Sequence, residues 1–594
     1  MTPNSAITKG TDGFYHPASE EDLAALVKKA YTEGRQLRVR GSVHSVACAI
    51  YTDPCVEGEN HVNNQAAPDG DNINVMLDKY RSFTVVDKDK MLVEAQAGIN
   101  LGVDPSDPTH TSTVKNSLLY QLYNDYGWTL SDLGGITHQT VSGFVSTGSS
   151  GGSLTYSIND NLYAFRMIDG QGNIYEVSRE DTDPEEFNAV ALSMGLLGVI
   201  STITFKCVPT FNISGQEAIT TYEEASMDLF GDGADGRPTL EEFLKEVEYT
   251  RLVWWPQRGG ERIITWQCQR IDPQLGFRAV KYQEFGNYPE ITEVAISIFY
   301  TIIGNLDDLS AAKPKLEATF NQLDEVLEFV LAHQEELGKL GDILAEVIDK
   351  ALEFGVDAAI DLLEGFAPVI KALLPHLFPT ILNIFEPLDS TKKGMEKGEP
   401  QSFRNTGWQG LPMDEQASDV LVPTEFTEIW LPIGRTQEAM NVMNNYFTSA
   451  KSAQAALKRT GTYAWELYGA GPTSIWMSPS YSNGDDEWKD GVFRIDPYWF
   501  EGNAGNPAEV FYPQLWNLLR EHGIPFRLHW GKYQPIIQQG DTDGWVAFFR
   551  SQYAQWDNFM AKRAEKDPNN IFLTEYWRDR FGLWDAPQPK PQTA

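Results

Sequence analysis

At 594 residues the chain is too long for one hydrophobic core, so two or more domains are expected. Its 42% hydrophobic and 22% charged content is that of a globular protein and excludes a disordered one. A net charge of −36 argues against a nucleic-acid partner and against adsorption to an anionic membrane, because both need clustered Lys and Arg.

The N-terminal segment shows no basic stretch followed by an apolar run, so a cytoplasmic location is expected unless a leader has been trimmed. The run SEEDLAALVKKAYTE (19–33) predicts an amphipathic helix with Ser19 as its cap. A strand RQLRVR (35–40) follows, then the turn Gly41-Ser42-Val43-His44-Ser45. Further strands are predicted at 72–77, 82–87 and 91–98, and a helix at 117–127. A Gly/Ser/Thr-rich stretch covers 130–156, a hairpin turns around Gly170 to Gly172, and an apolar strand spans 195–209. Beyond 211 comes a hairpin rich in wide aromatics (253–271), then helices at 316–333 and 344–354 with apolar residues three and four apart.

The run FAPVIKALLPHLFPTILNIF (366–385) raises a membrane contact, but Pro368, Lys371, Pro375 and Pro379 interrupt it. A buried helix pair, an oligomer contact or a lid over an apolar substrate is the expectation. Strands return at 424–434, 462–470, 492–500 and 524–533, and a helix followed by an aromatic segment closes the chain. Helices and strands alternate irregularly, which predicts an α+β fold. Cys48 and Cys55 either bridge a loop or are free thiols, and no Cys/His spacing suggests a metal site.

Three segments carry chemistry. Arg40-Gly41-Ser42-Val43-His44-Ser45 is a Gly/Ser turn after a strand, which can aim several backbone N–H groups at one anion. In Gly134 to Ser157, the small residues Gly135, Thr140, Gly143, Ser146, Thr147, Gly148 and Gly151 let backbone approach a flat ring or phosphates. The third is Gly195-Leu-Leu-Gly198-Val199-Ile200. No nucleophile elbow, Walker loop or His-Glu-x-x-His is present, so hydrolase and nucleotidase readings have no support.

With these pieces in this order, the HQTVSGFVSTGSSGG run, Arg527-Leu-His-Trp-Gly-Lys532 and the closing DPNNIFLTEYW, the chain resembles the vanillyl-alcohol-oxidase-type (PCMH-type) flavoproteins. Within them it is most similar to the sugar-1,4-lactone and alditol oxidases, over roughly 15–210 and 424–582. The resemblance implies a two-subdomain FAD-binding domain at 1–210, completed by 551–594. It also implies a substrate domain of antiparallel sheet and helices at 211–550, and the helical block at about 286–400 is unmatched, an insertion. It implies FAD joined covalently through His44, with Arg40 to Ser45, the small residues of 135–151, Gly198 to Ile200 and Lys532 around it. Glu466 matches the family's Glu-x-Arg glutamate and Lys532 its lysine, Thr140 falls where a substrate-contacting serine lies, and Tyr468 replaces the arginine.

That replacement exchanges a fixed charge for a phenol, and with the insertion and the tryptophans at 254, 255, 465 and 476 it favours a bulkier, more apolar alcohol than a small polyol. The bland alternatives are a cross-strand ion pair for Glu466, a snorkelling Lys532 and a packing Thr140. His529, three residues before Lys532 on a predicted strand, is expected to face away from it. The expected activity is oxidation of a CH–OH group with oxygen as second substrate. The rivals are a dehydrogenase on the same fold and a non-catalytic flavoprotein that binds lipid or a partner through 306–385.

Overall fold

The computed structural model describes residues 7–55, 66–180, 183–233, 236–257, 259–284, 294–295, 298, 301–302, 305, 309–392, 398–414, 424–449, 462–500 and 505–592. The first helix, Glu20–Glu33, starts where Ser19 Oγ accepts the Asp22 N–H at 3.1 Å, and buries Leu23, Leu26, Val27 and Ala30. Strand β1 (Leu37–Arg40) pairs in parallel with β2 (Ile73–Met76), with Val39 opposite Val75. Beside this pair, β3 (Phe83–Asp87), β4 (Leu92–Gln96), β6 (Leu162–Ile168), β7 (Ile174–Ser178) and β8 (Val199–Lys206) form an antiparallel sheet in the order β3-β4-β8-β6-β7. A short ladder joins β5 (Trp128–Thr129) to β9 (Val208–Pro209).

The second large sheet is built from β10 (Asn212–Thr220), β11 (Tyr249–Trp255), β12 (Arg262–Ile271), β13 (Gln401–Thr406), β14 (Thr424–Phe426), β15 (Ile429–Pro432), β16 (Thr462–Ala470), β17 (Val492–Phe500) and β18 (Arg527–Leu528). Its order is β13-β10-β12-β11-β16-β17-β15-β18, with β14 also on β17. One apolar core is continuous across both sheets, from Val93 and Phe205 to Trp465 and Ile495. Helices alternate irregularly with strands along the chain and both large sheets are antiparallel, so the fold is α+β.

The helical block has its own core, in which Leu340, Leu344, Val347 and Ala351 recur at helical spacing. Its long element is a single helix, Val356–Phe385, that runs through Pro368, Pro375 and Pro379. Each proline deletes one N–H donor without ending the helix, because the flanking turns keep their own bonds. The side chains of 371–381 and the insertion's expected start near 286 lie outside the described residues. Among the described residues no helix is long and apolar enough to cross a membrane. The helix ends on Arg262, which donates to the carbonyls of Leu382 and Glu386 and to Asn383 Oδ1 at 2.8 Å, satisfying orphan C-terminal acceptors. Cys48 and Cys55 are joined in a disulfide, with Cα atoms 5.5 Å apart.

Candidate functional site

A cavity of about 370 Å³ lies between the β1 turn, the Gly-rich segment and the open face of the second sheet. At its first end the Gly41–Ser45 turn lines the wall. Gly41 is required there, because a Cβ would meet Thr140 Oγ1 at 2.5 Å. Val43 sits at φ 54°, a strained setting for a β-branched residue, and the backbone N–H groups of Ser42, Val43 and Ser45 donate to no acceptor among the described residues. Beneath the turn, Arg38 is buried and donates only to carbonyls, those of Ala49 at 2.7 Å and Met194 at 2.9 Å closest. Its Nε and the Nη1 of Arg40 are buried without a partner among the described residues. Burial lowers the Arg38 value to about 10, still well above neutrality. A fixed cation with no carboxylate bonded to it, beside free N–H donors, fits a polyanion such as a pyrophosphate.

His44 lines the same wall, its ring centroid 5.6 Å from that of His138, and its carbonyl accepts from Lys532 Nζ at 2.7 Å. The ammonium of Lys532 also lies 4.0 Å from the centre of the Phe426 ring, within cation–π range. Thr140 is the N-cap of the helix Val141–Thr147, its Oγ1 accepting from Gly143 at 3.2 Å, and it also lines the cavity. Gly135, Gly143, Ser146, Thr147, Gly198, Val199 and Ile200 line it too. Gly148 and Gly151 do not line it. The first ends that helix at φ 90°, and the second donates to Asp132 at 3.0 Å, so both shape the loop from behind.

The far wall is a sheet face, and register places its chemistry. Directly paired residues on neighbouring antiparallel strands share a face. One row therefore reads Asp496, Glu466, Val253, Ile264, Ile219 across β17, β16, β11, β12 and β10. It runs from two carboxylates to three aliphatic groups. Trp255, Leu382 and Phe385 extend the apolar half, the last two from the end of the long helix.

Glu466 is buried, accepts the Tyr468 hydroxyl at 2.6 Å and lies 3.7 Å from Arg251. Burial first, then the neighbouring Asp414 carboxylate, pushes its carboxyl up to about 7. Arg251 also contacts Asp414, Glu217 at 3.3 Å, Glu284 at 3.9 Å and the Tyr282 hydroxyl at 3.0 Å. Tyr468 stands opposite Arg494 of β17, whose guanidinium lies 4.7 Å over its ring. The positive charge missing at 468 is thus present from two neighbouring strands, which corrects the expectation that the wall trades charge for a phenol.

Two further expectations change. The predicted strand 524–533 shrinks to β18, after which the chain turns, with Lys532 N–H donating to the His529 carbonyl at 3.2 Å. Strand alternation does not apply in a turn, and His529 lines the cavity with Lys532. Gly531 N–H donates to its Nδ1 at 3.1 Å, so Nε2 carries the proton toward Ser149 Oγ at 3.3 Å. Burial lowers His529 to about 4, leaving it neutral. Of the four tryptophans, Trp255 alone lines the cavity, whereas Trp254 and Trp465 meet edge-to-face at 5.0 Å in the core behind the sheet and Trp476 is buried in that same core. Arg38, Arg251, Arg494 and Asp496 were not singled out from sequence. For Arg494 and Asp496 a signal existed in the alternation Arg494-x-Asp496-x-Tyr498, which puts three polar groups on one face.

No protein-family model matches the chain. It is 26% identical to a D-arabinono-1,4-lactone oxidase of Eremothecium gossypii over 48% of this chain and 53% of that protein, spanning about half of that relative's length. To an L-gulonolactone oxidase of Scyliorhinus torazame it is 21% identical, over 96% of this chain and 94% of the other. Among solved structures, a cholesterol oxidase from B. sterolicum superimposes with a TM-score of 0.61 at 14% identity, covering 96% of this chain and 93% of that one. A solvent-stable cholesterol oxidase gives 0.57 at 15% identity, covering 97% of each. The chain shares the fold of those cholesterol oxidase structures, and the sequence relatives named above are sugar-lactone oxidases.

Proposed function

We propose that the chain is an FAD-dependent oxidase that takes a hydride from the CH–OH group of an alcohol, with oxygen as the final acceptor. The observation that carries this reading is one cavity with a buried, carboxylate-free cation under an N–H-lined turn, Lys532 bonded to the His44 carbonyl of that turn, and Glu466 and Tyr468 on the facing sheet wall. Residues 1–210 with 551–594 form the cofactor half in this reading, and 211–550 the substrate half.

Arg38, Arg40 and the Ser42 to Ser45 turn would hold the pyrophosphate charge, and His44 would tether the ring. When bound, FAD supplies the hydride acceptor and the route of electrons to oxygen, giving hydrogen peroxide. Glu466, with a carboxyl near neutrality, takes the proton of the substrate hydroxyl, and Tyr468 fixes its orientation by donating to it. Lys532 keeps an ammonium beside the reacting end, where negative charge develops on oxygen. Val253, Ile264, Trp255, Leu382 and Phe385 give the alcohol's body an apolar surface. The named activities of the relatives supply the classes to compare, aldonolactones and sterols, with alditols as a third.

The test is an anaerobic visible spectrum titrated with members of each class. Bleaching of the flavin bands by one class identifies the substrate, and reoxidation by air with peroxide release separates oxidase from dehydrogenase. A purified protein without a flavin spectrum refutes the reading.

A further inference from the structure

The Arg494 guanidinium joins three walls of the cavity. It pairs with Asp496 on its own strand at 2.8 Å and with Glu428, in the segment before β15, at 3.2 Å. Its Nη1 donates to the Ser150 carbonyl of the Gly-rich segment at 2.9 Å. Its flat face covers the Tyr468 ring at 4.7 Å and the Trp430 ring at 4.5 Å. An ion pair buried only for stability gives little, since desolvation offsets most of the attraction. What the arrangement does provide is a fixed position for Tyr468, whose hydroxyl is committed to Glu466.

We propose that Arg494 is a positioning residue for the reaction: it clamps Tyr468 against Glu466 and supplies, from the adjacent strand, the fixed charge on that side of the cavity. This rests on the oxidase reading for its kinetic consequence, though not for its electrostatic one. Glu466 is faced by Tyr468 on β16, Arg251 on β11, Asp414 after β13, and Arg494, Asp496 and Tyr498 on β17, with Glu428 beyond Arg494. Of these only Arg251 and Arg494 are cations. Arg251 is already surrounded by four carboxylates. Removing Arg494 takes away a cation that Asp496, Glu428 and Glu466 share, so proton release from Glu466 becomes harder.

The variants are Arg494→Met, which keeps bulk without charge, and Arg494→Lys, which keeps charge without the planar fork. Two readouts are needed. The first is the infrared titration of the protonated Glu466 carboxyl, isolated as the difference between each protein and its Glu466→Gln counterpart. We expect its midpoint to rise by about one pH unit in the Met variant and less in the Lys variant. The second is the rate of flavin bleaching per bound flavin at saturating alcohol, expected to fall at least tenfold in the Met variant with KM little changed.

An unmoved midpoint overturns the proposal whatever the rate does, because a merely structural arginine would lower activity without moving it. A moved midpoint with an unchanged rate overturns the positioning role. If the Met variant does not fold, the Lys variant carries both readouts. Were no alcohol to bleach the wild-type flavin, the oxidase reading would fall, while the infrared midpoint would still decide what Arg494 does.

Discussion

Replacing Glu466 by Gln removes the one group to which both the chemistry and a pH-dependent stability can be traced. Its carboxyl, buried beside Asp414, sits near 7 in the folded chain against an ordinary value of 4.5. A folded-state value above the unfolded one means that the stabilising form is the protonated one. Its contribution is complete below about 4.5 and is lost as the pH rises through about 7. The loss amounts to about 3 kcal/mol by pH 8, taking each unit as about 1.4 kcal/mol. Gln keeps the shape and an acceptor for the Tyr468 hydroxyl, and it does not titrate. Relative to wild type, the thermal midpoint of E466Q should therefore rise between pH 5 and pH 8. In stopped-flow flavin reduction, the wild-type rate should climb to a plateau through about pH 7, as an acceptor that must be ionised requires. The variant should lose 10²- to 10⁴-fold of that rate and the acid limb with it. A stability difference flat from pH 5 to pH 8 would show that the carboxyl is not held protonated. An acid limb retained in E466Q would assign the proton to another group.

Three more outcomes follow from the geometry. In His44→Ala the flavin should be released into the supernatant on acid precipitation, whereas wild-type protein should keep its colour; colour lost from both would remove the covalent tether. Arg38→Met should purify with flavin content reduced at least tenfold, because its buried guanidinium donates to carbonyls and is bonded to no carboxylate among the described residues; full occupancy would place the pyrophosphate elsewhere. Phe385→Ala should raise KM for the bulkier apolar alcohols by roughly tenfold, the worth of one to two kcal/mol of lost apolar contact. Its KM for small polyols should hardly change, and an equal effect on both classes would take the long helix out of the substrate site.

Legibility in the sequence followed the range of the interaction that sets each feature. The first helix, the hairpins and the turn at Gly41 to Ser45 are local, so caps, glycines and alternation disclosed them. His44, Glu466, Tyr468 and Lys532 stood in recognisable runs, and all of them line the cavity. His529 was misplaced because a two-residue strand gives way to a turn, and alternation carries no information beyond a strand's end. Trp254 and Trp465 were misread because width does not report direction. Each lies one residue away from a cavity residue, on the opposite face of its strand. Gly148 and Gly151 share their composition with cavity glycines, and only the path of the loop separates the two roles.

The least legible feature was charge. In a chain of net charge −36, burial and not composition keeps the Arg38 guanidinium bonded to carbonyls and to no carboxylate among the described residues. Arg38 is surrounded by carbonyl acceptors and free N–H neighbours, while Arg251, on the opposite wall, is matched by four carboxylates. The two arginines are alike in sequence, each within a strand of mostly buried residues. They differ in what sheet register and loop closure bring to them, carbonyl oxygens for the one and four carboxylates, Glu466 among them, for the other. Tyr468 makes the same point from the other side. Read along the chain it marks a missing arginine, but read across the sheet it marks the place where Arg494 covers a tyrosine bonded to Glu466. A Glu-x-Arg pattern in one strand and a Glu-x-Tyr strand paired with an Arg-x-Asp strand can present the same charges to a cavity. A row of paired residues across strands can therefore supply a charge that the pattern along one strand does not show.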